Sequence, residues 1–343
     1  MAKKKQEDII SEIIRDIKAK KAKPIYFLSG EEPYYIDKIA DFIEENVLEE
    51  HERDFNQTIL YGNDTDVSQI IGAAKRFPMM AEKQVVIIRE AQGIADLGRE
   101  TAQLEEYVDN PQESTVLVFC YKYKKVDKRK AVYKKIAKDF VLFEGKKLYD
   151  NEYPDWIIGL FRKKGYTVDI QTVQLLFEYL GEDMSKISLE VDKLCSVVAK
   201  GSEITSDHIE KYIGISKEYN NFELVNALRD RDVLKANKII NFFSKNPKDH
   251  PILGTLPLLY NYFSKILIVH SLKDKSSATL SRELGVNPYF VKDYLKGSAA
   301  YDLRKTVRII SYLREADVRA KGVGVNAMPQ RDNFQELIYK ILH

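Results

Sequence analysis

Cysteine and histidine are scarce in this chain, and their scarcity removes two kinds of chemistry. Two cysteines, Cys120 and Cys195, stand far apart in 343 residues, which excludes a disulfide-stapled secreted fold and points to a reduced, cytoplasmic interior. The five histidines, His51, His208, His250, His270 and His343, show no ligand spacing, so no metal site is expected. An excess of one charge is also missing. The 54 basic and 52 acidic residues nearly cancel, and any nucleic-acid surface must be a local patch. No apolar run reads as long enough to span a bilayer. The opening Met1 to Asp8 leads into the amphipathic stretch Ile9, Ile10, Ile13, Ile14, Ile17 rather than a signal peptide's apolar run, and no membrane partner is expected. Tandem repeats and low-complexity tracts are absent as well.

What remains is a soluble, globular composition, 44% hydrophobic and 31% charged, at a length that suggests two or three domains. From Lys23 to about Gly145, short apolar runs alternate with helical patterns, as in a parallel sheet with crossover helices. The expected strands are Ile25 to Leu28, Phe55 to Leu60, Val85 to Ile88, Val116 to Phe119 and Phe140 to Phe143. After Gly145 the strand signal vanishes. Four short helices are expected over Asp155 to Lys164, Thr172 to Leu180, Met184 to Ala199 and Ser206 to Ile213, with glycines at 165, 181 and 201 as stops. Everything from Ile215 onward is again helical in pattern, with loops at Asp249 to Pro251 and Lys273 to Ser277.

The first expected strand runs into Gly30-Glu31-Glu32-Pro33-Tyr34-Tyr35-Ile36-Asp37, where a nucleotide-binding protein carries its phosphate loop. A loop of the form G-x-x-x-x-G-K-[ST] needs glycine, lysine and a hydroxyl at 35 to 37. Tyr35 cannot let the backbone close on a phosphate, Ile36 supplies no charge, and Asp37 repels the anion. The third strand ends Ile88-Arg89-Glu90, so an arginine stands where an ATPase places its metal-binding acid. A simple strand-end turn at Gly30 in an unrelated α/β fold is the other reading. Acid pairs such as Glu31-Glu32, Glu44-Glu45 and Glu105-Glu106 are expected on helix or loop surfaces, and no acid, base or nucleophile site is found.

Three further segments invite a functional reading. Arg76-Phe77-Pro78-Met79-Met80 follows a helix that should end near Phe77, because a residue before proline is pushed out of the α region. Phe77, Met79 and Met80 then lie on a short connection. There they could enter a partner's groove, burying the methionines for roughly 3–6 kcal/mol, or plug the gap under the sheet. Lys122 to Lys138 carries nine basic residues against one acid. The stripe Val132, Tyr133, Ile136 leaves most lysines on a solvated face, and Lys122, Lys124, Lys125, Lys128 and Arg129 are candidate phosphate-backbone contacts. Lys321 to Asn326, with two glycines, could approach a polyanion or be a plain interhelical turn.

Taken together, these residues resemble the delta-subunit family of the bacterial DNA polymerase III clamp loader. The likeness spans nearly the whole chain: Tyr26-Phe27-Leu28-Ser29-Gly30-Glu31-Glu32-Pro33-Tyr34, Ala81-Glu82-Lys83-Gln84, Asp127-Lys128-Arg129-Lys130, Leu180-Gly181-Glu182-Asp183, Leu189 to Leu194, Phe222 to Leu228, Leu284-Gly285-Val286 and Glu315-Ala316-Asp317. The resemblance implies an α/β N-terminal AAA+-like (P-loop-type) parallel-sheet domain without a working nucleotide site at 1–145. A small all-α lid at 146–213 and an all-α collar at 214–343 would follow. It implies no intrinsic catalysis and no cofactor, within a holoenzyme classed as a DNA-directed DNA polymerase. The implied partners are the beta sliding clamp, the ATPase subunits and delta prime of a five-membered assembly, and primed DNA. It also implies that an apolar pair before the third strand inserts into the clamp and opens the ring; aligned on Ala81 to Gln84, that pair is Met79 and Met80, with Phe77 beside it. The family's pair often includes a leucine or an aromatic, whereas two methionines stand here. The rival readings are an active AAA+ ATPase or motor, against Tyr35, Ile36, Asp37 and Arg89, and a free-standing DNA-binding protein, against the near-neutral charge.

Overall fold

The run Ile25-Tyr26-Phe27-Leu28-Ser29-Gly30 is buried at every position, as a strand must be when helices cover both faces of its sheet. It is β1 (Ile25–Gly30) of a computed structural model that describes residues 6–95, 97, 102–216, 218–323 and 327–343. The chain divides into two compact units, the first ending at Lys147 and the second beginning at Leu148.

In the first unit, α1 (Gln6–Lys18) precedes β1, and α2 (Pro33–Asn46), α3 (Arg53–Asn56), β2 (Gln57–Tyr61), α4 (Val67–Ala74), β3 (Gln84–Arg89), α5 (Ala102–Asp109), β4 (Thr115–Lys122), α6 (Ala131–Asp139) and β5 (Val141–Gly145) follow. The strands form one parallel sheet in the order β2-β3-β4-β1-β5. Ile25 and Phe27 point with Val86, Ile88, Leu117 and Phe119 into a core closed by α4, α5 and α6. On the other face α2, backed by α1, packs on the sheet and buries Ile36, Ile39, Ala40 and Ile43. The five expected strands are all present, but the second starts at Gln57. Phe55, expected inside it, stands exposed on the single turn of α3.

The second unit contains α7 (Tyr153–Lys163), β6 (Thr167–Val168), α8 (Ile170–Leu180), α9 (Met184–Val197), β7 (Glu203–Ile204), α10 (Ser206–Ile213), α11 (Asn221–Arg229), α12 (Val233–Lys245), α13 (Ile252–Ser271), α14 (Ser277–Leu284), α15 (Val291–Ala300), α16 (Leu303–Lys321) and α17 (Gln330–Leu342). The strand signal does not vanish here. β6 and β7 pair in parallel over two residues each, too short for an alternating pattern to be legible. Ser206 is the first helical residue of α10, and the cap before it is Thr205, in a reciprocal capping box with His208. The helix α14 begins at Ser277, where the expected loop from Lys273 ends.

One expectation about length is corrected. By length and composition α13, with mean hydropathy 1.4 over 18 residues, could cross a membrane. In this fold Leu256, Leu259, Phe263 and Ile266 of that helix enter the core of the unit with Ile309, Leu313, Phe334 and Leu337. α15 approaches α13 so closely that a Cβ at Gly297 would sit 2.4 Å from the Tyr262 hydroxyl.

Candidate functional site: a filled crevice and an exposed loop

In an open parallel sheet, ligands bind outside the carboxyl ends of the strands, where the strand order reverses. Here that place lies between β1 and β4, at the end of the Gly30 strand. Gly30 has φ +138°, and a Cβ on it would lie 2.1 Å from the Gly145 carbonyl oxygen, so the backbones of β1 and β5 close on each other. The amides of the turn are already used: Gly30 N–H donates to Lys124 O (3.0 Å) and Glu32 N–H to Gly145 O (3.2 Å). The N-terminus of α2, a natural seat for an anion, is capped by the chain itself, for the Glu32 carboxylate accepts from Tyr34 N–H at 3.0 Å. Glu32 is therefore buried and not on the surface expected of the Glu31-Glu32 pair. Tyr35 and Ile36 turn into the core.

Two cations and four carboxylates fill the rest. Arg89, at the end of β3, reaches Glu44 at 2.5 Å, Asp41 at 2.7 Å and Asp37 at 3.7 Å. Lys122, at the end of β4, reaches Glu90 at 2.7 Å and Asp37 at 2.9 Å, while its backbone N–H donates to Gln92 Oε1. Burial works against the Arg89 charge, but the bonds to Asp41 and Glu44 outweigh it and hold the pKa above its ordinary value. Burial likewise opposes the Lys122 charge, and Glu90 and Asp37 prevail. For Glu90, burial favours the neutral acid, and the bonds from Lys122 and Gln92 overcome it, leaving the pKa lowered. The Cys120 thiol beneath is pushed by burial up to about 12, too high for a thiolate nucleophile. With carboxylates in excess, the crevice repels a polyphosphate. Among the described residues no cluster of histidine, cysteine or acid side chains could hold a metal ion.

The second feature is the connection from α4 to β3. Asp66 caps α4 through Gln69 N–H at 2.8 Å. The helix stops at Ala74, three residues before the Phe77-Pro78 bond, since Pro78 has no N–H to give the Ala74 carbonyl, and side chains take its last carbonyls instead. The buried Gln84 amide reaches the oxygens of Ala73, Ala74 and Arg76 and the Thr115 hydroxyl, and Thr115 Oγ1 donates to Ala74 O at 2.8 Å. Beyond this anchor Phe77 is 76%, Met79 62% and Met80 102% exposed. None of them fills the gap under the sheet, which Val67, Ile70, Ile71 and Ala74 occupy. Met80 holds a left-handed φ of +54°. The Asn56 carboxamide accepts from Met79 N–H at 2.6 Å and donates to Met79 O and Glu52 O, each at 3.0 Å.

The basic segment divides. The sequence pattern set Lys122 with the solvated lysines, whereas its side chain is 12% exposed and held in the crevice, because it is the last residue of β4. Lys124, Lys125, Lys128 and Arg129 are exposed. Lys125 lies 3.3 Å from Glu31, Lys128 pairs with Glu144, and Arg129 holds both oxygens of Asp127. Val132, Tyr133 and Ile136 are buried as expected. In the last candidate loop Gly322 caps α16, and 324–326 lie outside the described residues.

Known proteins decide the family. The model for "DNA polymerase III, delta subunit" matches residues 26–146, and that for the "DNA polymerase III delta subunit, C-terminal domain" matches 218–336. The chain belongs to the DNA polymerase III delta-subunit family. It is 24% identical over 321 residues to DNA polymerase III subunit delta of Bacillus subtilis, covering 91% of this chain and 92% of that one. To the probable DNA polymerase III subunit delta of Aquifex aeolicus it is 24% identical over 297 residues, covering 82% and 83%. Among solved structures it is similar to the Bacillus subtilis DNA clamp loader delta protein (YqeN), with TM-score 0.59, 23% identity and coverage of 97% and 99%. The first unit is thus AAA+-like in fold.

In this delta-subunit fold, Gly30, Asp37 and Arg89 gather at the crevice while Tyr35 and Ile36 line the core beside it. Glu32, Asp41, Glu44, Glu90 and Lys122 were missed as members of the site. A signal for part of it was present: Asp37, Asp41 and Glu44 recur at helical spacing along one side of the apolar stripe of α2. Asn56 had no sequence signal, since its partner is 23 residues away.

Proposed function

We propose that this chain is the ring-opening subunit of a replicative clamp loader, docking on the beta sliding clamp through Phe77, Met79 and Met80. The observation that carries this is an apolar trio exposed on an anchored connection in a member of the delta-subunit family. A single exposed apolar side chain is ordinary, but three close together on one connection form the kind of patch that marks an interaction site. Methionine is unbranched and adapts to an irregular groove, and burying two of them is worth roughly 3–6 kcal/mol.

The work asked of the chain is mechanical. A closed ring in equilibrium with a rare open form is shifted by any protein that binds the open form more tightly, by the difference in affinity alone. The self-filled crevice fits that role, because it leaves ATP binding and hydrolysis to neighbouring ATPase subunits. We assign 1–145 to clamp binding, 146–213 to a lid and 214–343 to a collar that joins the ATPase subunits and delta prime in a five-membered, cytoplasmic assembly on primed DNA. Within that assembly Lys124, Lys125, Lys128 and Arg129 are the proposed DNA contacts; Lys122 is withdrawn from them by its ion pairs.

Ring opening tests the reading. With a fluorescent donor and acceptor placed across the clamp's subunit interface, adding this chain without nucleotide should lower energy transfer. The Met79→Ser/Met80→Ser variant should leave it unchanged. Unaltered transfer with the wild type at saturating binding overturns the ring-opening role.

A further inference from the structure

The exposed methionines pose a physical problem. A loop that projects apolar side chains into water gains nothing from its own core to hold its shape, and ordering it on contact would oppose binding. The fold answers with a buried amide. Asn56, the last residue of α3, is 3% exposed, yet its carboxamide lies against the loop and not against solvent. Its oxygen takes the Met79 N–H at 2.6 Å, and its nitrogen serves Met79 O and Glu52 O at 3.0 Å each. The first two bonds reproduce, with a side chain, the two-way pairing by which a strand grips its neighbour. They fix the Met79 backbone and leave its side chain in water. Met80 follows in the left-handed region, which a residue with a Cβ avoids unless its surroundings impose it. Gripping Met79 on both its N–H and C=O is a means of imposing it.

We infer that Asn56 is the positioning residue of the docking loop, holding Met79 and Met80 in their binding conformation before the ring arrives. The inference rests on the reading of those methionines as the ring contact. Only asparagine meets the geometry. Aspartate keeps the acceptor but turns a second oxygen toward two carbonyls, alanine leaves Met79 N–H unpartnered, and glutamine is longer by a methylene.

The test is a cycle of affinities for purified sliding clamp without nucleotide, using the full chain. Asn56→Ala should weaken binding by about tenfold. Combined with Met80→Ala, the loss should fall short of the product of the two single losses, because Asn56 acts through the loop. A merely structural residue gives the full product, and that result overturns the inference, as does Asn56→Ala binding within about twofold of wild type. Should Asn56→Ala not fold, amide exchange of the wild type replaces it. A Met79 amide protected well beyond an open loop supports the clasp, and exchange at the rate of an open chain overturns it. Met79→Ser/Met80→Ser binding like wild type would sink the contact itself, and this inference with it. A loss there with none in Asn56→Ala removes only the positioning role.

Discussion

Lys122 and Asp37 stand 2.9 Å apart, one at the end of β4 and the other in the second turn of α2, so the chain supplies its own counterion where a nucleotide would lie. The pair is shared, since Lys122 also holds Glu90 and Asp37 also faces Arg89. Removing the ammonium therefore leaves Asp37 with Arg89 at 3.7 Å and Glu90 with the Gln92 amide. Lys122→Met should destabilise the first unit by about 1–3 kcal/mol, below the full cost of a buried pair because both acids are partly exposed. Urea unfolding measures it, and wild-type stability should not rise on adding ATP and magnesium.

The close approach at Gly30 gives a second expectation. With φ +138° and a Cβ 2.1 Å from the Gly145 carbonyl, Gly30→Ala has no side chain that can move aside, only backbone. A loss of roughly 2–4 kcal/mol is expected in denaturant unfolding, whereas Gly72→Ala, where a Cβ meets nothing, should be neutral or slightly stabilising.

Acid should unmask a third pair in the second unit. The Arg229 guanidinium, assisted by Lys296, holds the Asp230 carboxyl down from 3.8 to about 2. A depressed folded pKa contributes stability that is fully present above the unfolded value and is lost as pH falls through the folded one. The difference between wild type and Asp230→Asn in urea unfolding should therefore be constant above about pH 5 and vanish as pH falls from 4 toward 2.

Salt dependence separates the basic residues. If Lys124, Lys125, Lys128 and Arg129 meet phosphates in the assembled loader, replacing all four with glutamine should flatten the slope of log affinity for primed DNA against log salt. The change is about 0.9 per lost contact on duplex. Lys122→Gln should leave that slope unchanged.

Much of the first unit was legible because buried parallel strands are continuous apolar runs, as Val85 to Ile88 and Val116 to Phe119 show. The departure from a phosphate loop's pattern was equally legible, since Tyr35, Ile36 and Asp37 stand where that loop requires glycine, lysine and a hydroxyl. What replaces the nucleotide was not. Arg89, Lys122, Glu44 and Glu90 come from β3, β4, α2 and the turn after β3, and only the sheet register brings them together. Lys122 was misplaced for the same reason: a run of lysines reads as one solvated face, while the strand's last residue points inward. The end of α4 lies at Ala74 rather than Phe77, since Pro78 has no N–H for the Ala74 carbonyl, and Gln84 and Thr115 satisfy that carbonyl instead. Phe55 and the strands β6 and β7 fall in segments too short for periodicity to register.

The most direct test is the equilibrium affinity of this chain for the beta sliding clamp of its own organism, titrated with and without ATP, for wild type and Met79→Ser/Met80→Ser. Docking through the exposed methionines predicts tight wild-type binding that ATP does not change and that the double variant loses by about a hundredfold or more. Wild-type binding that needs ATP, or a variant that binds as tightly as wild type, would contradict it.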